Sequence, residues 1–399
     1  MRDRFRVRAG GVTALMVASI VVFTGMPPAS ASAASASSAQ QVAAGSSASP
    51  WKIQKTPKPS GSIDSDLSDV ACVSAISCVA VGDYENSEGN DFALAEIWNG
   101  TTWTVQKPPN PKGATSSTLS GVSCTSKAST TTCTAVGDYE STSSELTLAE
   151  VWNGATWTIE KTANPRGSSG DTFNSVSCVV ASSCTAVGSY FRNFTFVLAE
   201  VWNGSTWTIE KTPTPTVSGE SGGVLSSVSC SAASACAAVG NSDVLNTSFS
   251  EVWDGSTWTI HSIPNPEEIG DSGLSGVSCV LPTSCTAVGA FINSGFVKTT
   301  LAEEWNGTKW KIQSTPNPPE REVSQLLAVS CLPGACTAVG DSSLPEATLA
   351  EVWNGSTWKT QTIPNQKDLD DNLTGLSCTT ASTCIAVGDS TNGALVETK

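Results

Sequence analysis

Seven times the chain sets a two-residue step behind a short C-x-A-V-G run: Asp83-Tyr84, Asp138-Tyr139, Ser189-Tyr190, Asn241-Ser242, Ala290-Phe291, Asp341-Ser342 and Asp389-Ser390. Aromatic rings beside carboxylates can stack on a sugar ring and accept its hydroxyls. Tyr84, Tyr139, Tyr190 and Phe291, with Asp83 and Asp138 as acceptors, are therefore the candidate ligand-binding residues. The competing role is structural, because an amphipathic Tyr also suits a half-buried sheet edge.

Other residues invite chemistry less. A Glu recurs at one position in every repeat: Glu96, Glu150, Glu200, Glu251, Glu303, Glu351 and Glu397. Catalysis needs distinct residues in distinct roles, so these are read as buried carboxylates bonded to backbone, hydroxyl or indole donors near the neighbouring repeat. His261, the single histidine, stands where other repeats carry Glu or Gln and has no repeated acidic or nucleophilic companion; it reads as a surface substitution. Asp368, Asp370, Asp371 and Asn372 cluster without calcium-loop spacing and read as a solvated loop. No catalytic residue, metal site or cofactor is expected.

All fourteen cysteines come in close pairs: Cys72/Cys78, Cys124/Cys133, Cys178/Cys184, Cys230/Cys236, Cys279/Cys285, Cys331/Cys336 and Cys378/Cys384. Zinc would want C-x2-C spacing or histidines. Disulfides across neighbouring strands are the expectation, each adding about 2–2.5 kcal/mol on a loop-entropy estimate.

These residues sit in a repeat of about fifty residues: L-S-x-V-S-C, a short loop, C-x-A-V-G, a variable stretch, L-A-E-V-W-N-G-x-T-W-T-I, then x-K-T-P-x-P. The short runs are rich in Val, Thr, Trp and Ile between turn residues, which predicts four strands, a to d. That period suits a blade of a β-propeller. The Asn-Gly pairs at 99–100, 153–154, 203–204, 306–307 and 354–355, and Asp254-Gly255, predict two-residue type I′ hairpins between c and d. In that register Trp98 pairs with Thr101 and Glu96 lies opposite Trp103, with Trp98 diagonal on the same interior face. Several of these turns also read as glycosylation sites, but the turn chemistry already accounts for the Asn. The T-P-x-P segments recur at each exit from d and read as crossovers.

There are seven cysteine elements but six tryptophan pairs. The last repeat stops at Ala394–Lys399, after the start of its strand c. The missing piece, Trp51-Lys52-Ile53-Gln54-Lys55-Thr56-Pro57, stands alone at the other end. The expected fold is therefore all-β: a seven-bladed β-propeller of four-stranded antiparallel blades over 51–399, closed by the N-terminal strand pairing with the C-terminal blade. The a–b and c–d connections share one face and are nearly constant. The b–c and d–a connections share the other and vary in length and composition, so that face is the candidate recognition surface.

Ahead of the repeats, Arg2, Arg4, Arg6 and Arg8 precede an apolar run, Val12 to Phe23, followed by Ala29-Ser30-Ala31 and Ala31-Ser32-Ala33. Residues 1–33 read as a cleaved signal peptide and 34–50 as an Ala/Ser-rich flexible linker. No Cys follows the apolar run to take a lipid. The expectation is a released extracellular protein. The formal charge is −15; four basic and one acidic residue fall in the leader, leaving −18. Such acidity opposes nucleic acid and anionic membranes.

The E-V-W-N-G-S-T-W run with its crossover resembles the kelch or galactose-oxidase-type propeller repeat. It departs from that pattern in having one Gly on strand b, at Gly82, Gly137, Gly188, Gly240, Gly289, Gly340 and Gly388, and in its paired cysteines. The N-G-S-T-W turns also resemble a shortened Asp-box of sialidase-type propellers. Neither resemblance carries over a catalytic residue: histidines for copper are absent, and Arg166, Arg192 and Arg321 do not fall at equivalent positions. The leader and repeats together resemble proteins exported by high-GC Gram-positive bacteria. The reading is an extracellular, monomeric, non-enzymatic binding module for a glycan or cell-envelope polymer. A protein-interaction scaffold is the alternative and predicts an exposed apolar patch on the variable face. A polysaccharide hydrolase or lyase is the third reading and predicts paired carboxylates over the central channel.

Overall fold

The computed structural model describes residues 50–127, 130–242, 244–266, 271–317, 323–343, 347–366 and 371–399. The leader, all of the linker but Pro50, and Asp368 and Asp370 of the acidic cluster lie outside the described residues. Within them the chain is all-β, and no helix is long and apolar enough to cross a membrane.

The first repeat forms strands a (Ser62–Ser74), b (Ser77–Asn86), c (Asp91–Trp98) and d (Trp103–Gln106), antiparallel and in sequence order. Four more four-stranded sheets stand alone, and the fifth and sixth repeats form one sheet through a single parallel bridge, Lys298 to Val323. In the last repeat, strands Asn372–Thr380, Thr383–Ser390 and Gly393–Thr398 take Lys52–Gln54 as their fourth, with Lys52 opposite Thr398 and Gln54 opposite Val396. Trp51 beside it is 2% exposed, and its indole N–H donates to Gln361 of the sixth repeat. The split repeat is thus completed from both ends of the chain, as expected.

The cores lie between repeats. Leu67, Ala80 and Leu94 of the first pack on Val387 and Val396 of the seventh, and Val288 and Ala302 of the fifth on Leu326 of the sixth. A serine ladder reinforces these contacts. Ser123, Ser177, Ser229, Ser278 and Ser330 each accept the N–H of the next repeat's first cysteine, at 2.9–3.1 Å. Ser377 of the seventh accepts that of Cys72 in the first. Ala71 breaks the series, and there Asp69 ties the first repeat to the second by accepting the N–H of Val122 at 2.9 Å.

All seven disulfides form as expected: Cys72–Cys78, Cys124–Cys133, Cys178–Cys184, Cys230–Cys236, Cys279–Cys285, Cys331–Cys336 and Cys378–Cys384. Each joins directly opposed residues of a and b. In the first repeat Cys78 also lies opposite Trp98, and Trp98 opposite Trp103, so disulfide and indoles form one row across the sheet.

That register corrects the expected hairpin. Trp98 pairs with Trp103, not Thr101, and Glu96 faces Val105, not Trp103. The turn therefore spans four residues, 99–102, and of its Asn-Gly pair only Gly100 takes positive φ, at 92°. The reason is the Asn side chain. Its Oδ1 accepts the N–H groups of Thr101 and Thr102, both at 2.9 Å, doing the work of a backbone turn. The same pair of bonds recurs at Asn153, Asn203, Asp254, Asn306 and Asn354. At Asp254 the Ser256 hydroxyl, together with these two N–H groups, holds the exposed carboxyl down to about 2.

A β-bulge in every strand a explains the single strand-b glycine. The register slips between Leu67 and Asp69, and at the equivalent point of each repeat. A Cβ on the facing Gly82 would lie 2.0 Å from the Asp66 carbonyl oxygen, and one on Gly188 2.0 Å from that of Thr172.

Candidate functional site

Two regions present polar groups away from the cores. The first is the central cavity. The bulges point Ser68, Ser120, Asn174, Ser226, Ser275, Leu327 and Thr374 into a space of about 250 Å³ that all seven repeats line. Asn174 and Thr374 turn back to the Leu225 and Leu67 carbonyls. Asp69 is the one charged group of the lining; burial raises its pKa to about 7 against the lowering effect of the Val122 and Val70 N–H groups.

The second is the b–c and d–a end, where strand b runs on into its loop. Tyr84, Tyr139, Tyr190 and Phe291 all lie there, and all are half-buried. Tyr84 sits 6.2 Å from the Phe92 ring on its own strand c, with Lys107 Nζ 5.4 Å from its centroid. It also joins the core between the first and seventh repeats. Tyr190 stacks on Phe196 at 5.3 Å, with the Arg192 guanidinium 5.7 Å away. Tyr139 and Phe291 border the cores toward the preceding repeats. Among the described residues no ring contact joins any two of the four. They hold equivalent places on the first, second, third and fifth repeats, and Tyr84 and Tyr190 each meet both an aromatic and a cationic side chain.

The carboxylates are more closely grouped. Asp83 lies directly opposite Asp66. Asp138 is pushed up to about 7 by burial and by Glu145, with which it is in hydrogen-bonding contact, while the Thr118 hydroxyl 3.3 Å away opposes the rise. Asp341 is raised by burial, held by the Gln325 amide at 2.7 Å, and lies near Lys298 and Asp389. Acidic groups thus follow one another through the sixth, seventh, first and second repeats, where the third to fifth carry Ser189, Asn241 and Ala290 instead.

That other arc is apolar. Phe191 and Phe194 flank Asn193, a tip residue at φ 65°, and are 48% and 43% exposed. Leu245 on the fourth repeat is 44% exposed, and Phe296, on the b–c loop of the fifth, is 92% exposed. Reading by repeat position missed these because they fall in the variable stretch between strands b and c, outside the repeating pattern. An extra hairpin, Thr216–Val217 with Glu220–Ser221, rises from the adjacent crossover beside the third repeat's strand c.

The remaining candidates are structural. His261 packs edge-on against Trp305 at 4.8 Å. The crossovers cap the free edge of strand c, since Asn164, Asn317 and Asn365 accept the N–H groups of Thr147, Thr300 and Thr348 at 2.6–2.9 Å. All seven glutamates are fully buried, but the expected partners are largely missing. Glu200 accepts the Ala163 N–H, and Glu351 and Glu397 accept the hydroxyls of Thr300 and Thr348. Both oxygens of Glu96, Glu150, Glu251 and Glu303 have no hydrogen-bond partner among the described residues.

No protein-family model matches the chain, and no curated protein matches it. Solved structures do. A structure of YCF48 bound to D1 peptide aligns at 15% identity and a TM-score of 0.52, over 88% of this chain and 95% of that one. The WD40 β-propeller domain of Doa1 aligns at 11% identity and a TM-score of 0.55, over 88% and 97%. The chain is a β-propeller. YCF48 from Cyanidioschyzon merolae agrees, at 12% identity and a TM-score of 0.51 over 87% and 98%. At these identities the likeness concerns the propeller fold alone.

Proposed function

We propose that residues 51–399, exported by the leader at 1–33 and freed on the linker at 34–50, form a seven-bladed propeller that acts as an extracellular, non-enzymatic binding module. Seven disulfides support an oxidising destination. The ligand is a glycan or cell-envelope polymer, met on the b–c and d–a face. The observation that carries this reading is the contrast between faces: the Asn-turn face repeats one geometry six times, while the other differs from blade to blade. The half-buried rings of Tyr84, Tyr139 and Tyr190, with Asp83 and Asp138 beside them, supply stacking surfaces and acceptors. A glycan and cell-wall polysaccharide screen of the mature protein tests it. Binding should appear and fall at least tenfold in the Tyr84→Ala, Tyr139→Ala double variant. No binding across the panel, or unchanged binding in the variant, removes it.

A protein partner is the second reading. Phe191, Phe194 and Phe296 are exposed on that face, the patch such a role calls for, and YCF48 was solved with a peptide bound.

A further inference from the structure

The seven buried glutamates do nothing in the binding reading, and their surroundings are unusual. Charged side chains are rarely this buried without a partner. Each lies on strand c in a core between blades; in the first blade the row across the sheet is Val70, Ala80, Glu96 and Val105, and in the sixth Glu351 lies between Ala338 and Thr360. Glu200, Glu351 and Glu397 show which way the group faces, since each meets the preceding blade or its crossover. The Ala163 N–H that serves Glu200 belongs to the K-T-A-N-P crossover. At the equivalent place the other crossovers carry proline: Pro57, Pro109, Pro213, Pro264, Pro316 and Pro364. Proline has no N–H, so the donor that satisfies Glu200 is deleted at the other six junctions.

We propose that these glutamates make the contacts between blades proton-dependent, so that the propeller is held most firmly in acid and loosens as the pH rises into the alkaline range. A neutral carboxylic acid is tolerated in such a site; a carboxylate without donors is not. Burial raises Glu96, Glu150, Glu251, Glu303, Glu351 and Glu397 from 4.5 to about 8, and Glu200, with its one backbone donor, to about 7. The neighbours reinforce the direction. Asp171 faces Glu200 and Asp371 faces Glu397, both raising the pKa, and no charged group acts on the other five among the described residues. The sign follows. Below pH 4.5 the groups are protonated folded or unfolded, and stability is fully present. Between 4.5 and about 8 the unfolded chain ionises while the native one keeps its protons, so stability falls. The loss is complete once the native groups ionise.

Thermal unfolding of the full chain between pH 5 and pH 9 tests this. Disulfide reshuffling does not intrude, because all fourteen cysteines are paired and no thiolate is present to start it. The wild-type Tm should fall by roughly 10 °C or more. Glu251→Gln and Glu303→Gln, which cannot ionise, should match wild type within about 2 °C at pH 5 and exceed it at pH 9. A flat wild-type profile, or Gln variants that fall in parallel with wild type, would overturn the proposal. Should either variant fail to fold, carbon-13 spectra of labelled Glu decide the matter in the wild-type protein. Seven side-chain carboxyl signals should stay unmoved from pH 4 to 6; all of them titrating near 4.5 would refute it.

Discussion

The two ends of each blade obey different rules. At the Asn-turn end every blade uses the same parts: a disulfide across a and b, an indole pair across c and d at 5.4–5.8 Å, and an Asn or Asp side chain closing the turn. Only the seventh differs, because its fourth strand arrives from the other terminus. At the opposite end the blades diverge. The second and third carry Tyr139 and Tyr190 at one place, the fourth Ser242; the third adds a hairpin to its crossover; the first, second, sixth and seventh present carboxylates where the others do not. Geometry set by local hydrogen bonds and sulfur can be copied from blade to blade. The opposite end is under no such local constraint.

Substitutions can break or sharpen that contrast. The largest effect is expected in the shared framework at Gly188. Replacing it with Ala puts a Cβ 2.0 Å from the Thr172 carbonyl oxygen and should cost about 3–5 kcal/mol in urea unfolding; a cost under 1 kcal/mol would mean that the bulge yields freely. Next comes the third disulfide. Cys178→Ala with Cys184→Ala should lose about 2 kcal/mol, and an unchanged midpoint would show that the Trp202–Trp207 pair and the strand ladder hold that end unaided. The smallest effect lies at the other end. Phe296→Ser on its exposed loop should shift stability by no more than about 0.5 kcal/mol. A larger loss would mean that this ring is framework after all, and the division between ends would fail.

The architecture was legible because its causes are local. Cys178 and Cys184 stand six apart across a hairpin, and Trp51-Lys52-Ile53 duplicates a segment missing from the last repeat. The c–d turn was misread for an instructive reason: Asn-Gly fits a type I′ hairpin, but the residues at 101 and 102 offer N–H groups that the Asn99 side chain captures first. The bulge and the reason for Gly82 depend on how strand a meets strand b, which periodicity does not encode. The glutamates were rightly placed inside, but their lack of donors follows from prolines about forty residues earlier in the chain. At the candidate rim the residue types were readable. How far each ring is covered was not, because partners on strand c and the crossover of its own blade, together with the neighbouring blade, decide that.

The closing strand has a consequence for how the molecule comes into being. Lys52 is made 346 residues ahead of its ladder partner Thr398. The segment around Trp51 must therefore wait until the last repeat has been made, while on the intermediate blades the matching edge of strand c is taken by that blade's own strand d. The Gln361 side chain that receives its indole and the strand-c edge at Val396 mark its berth.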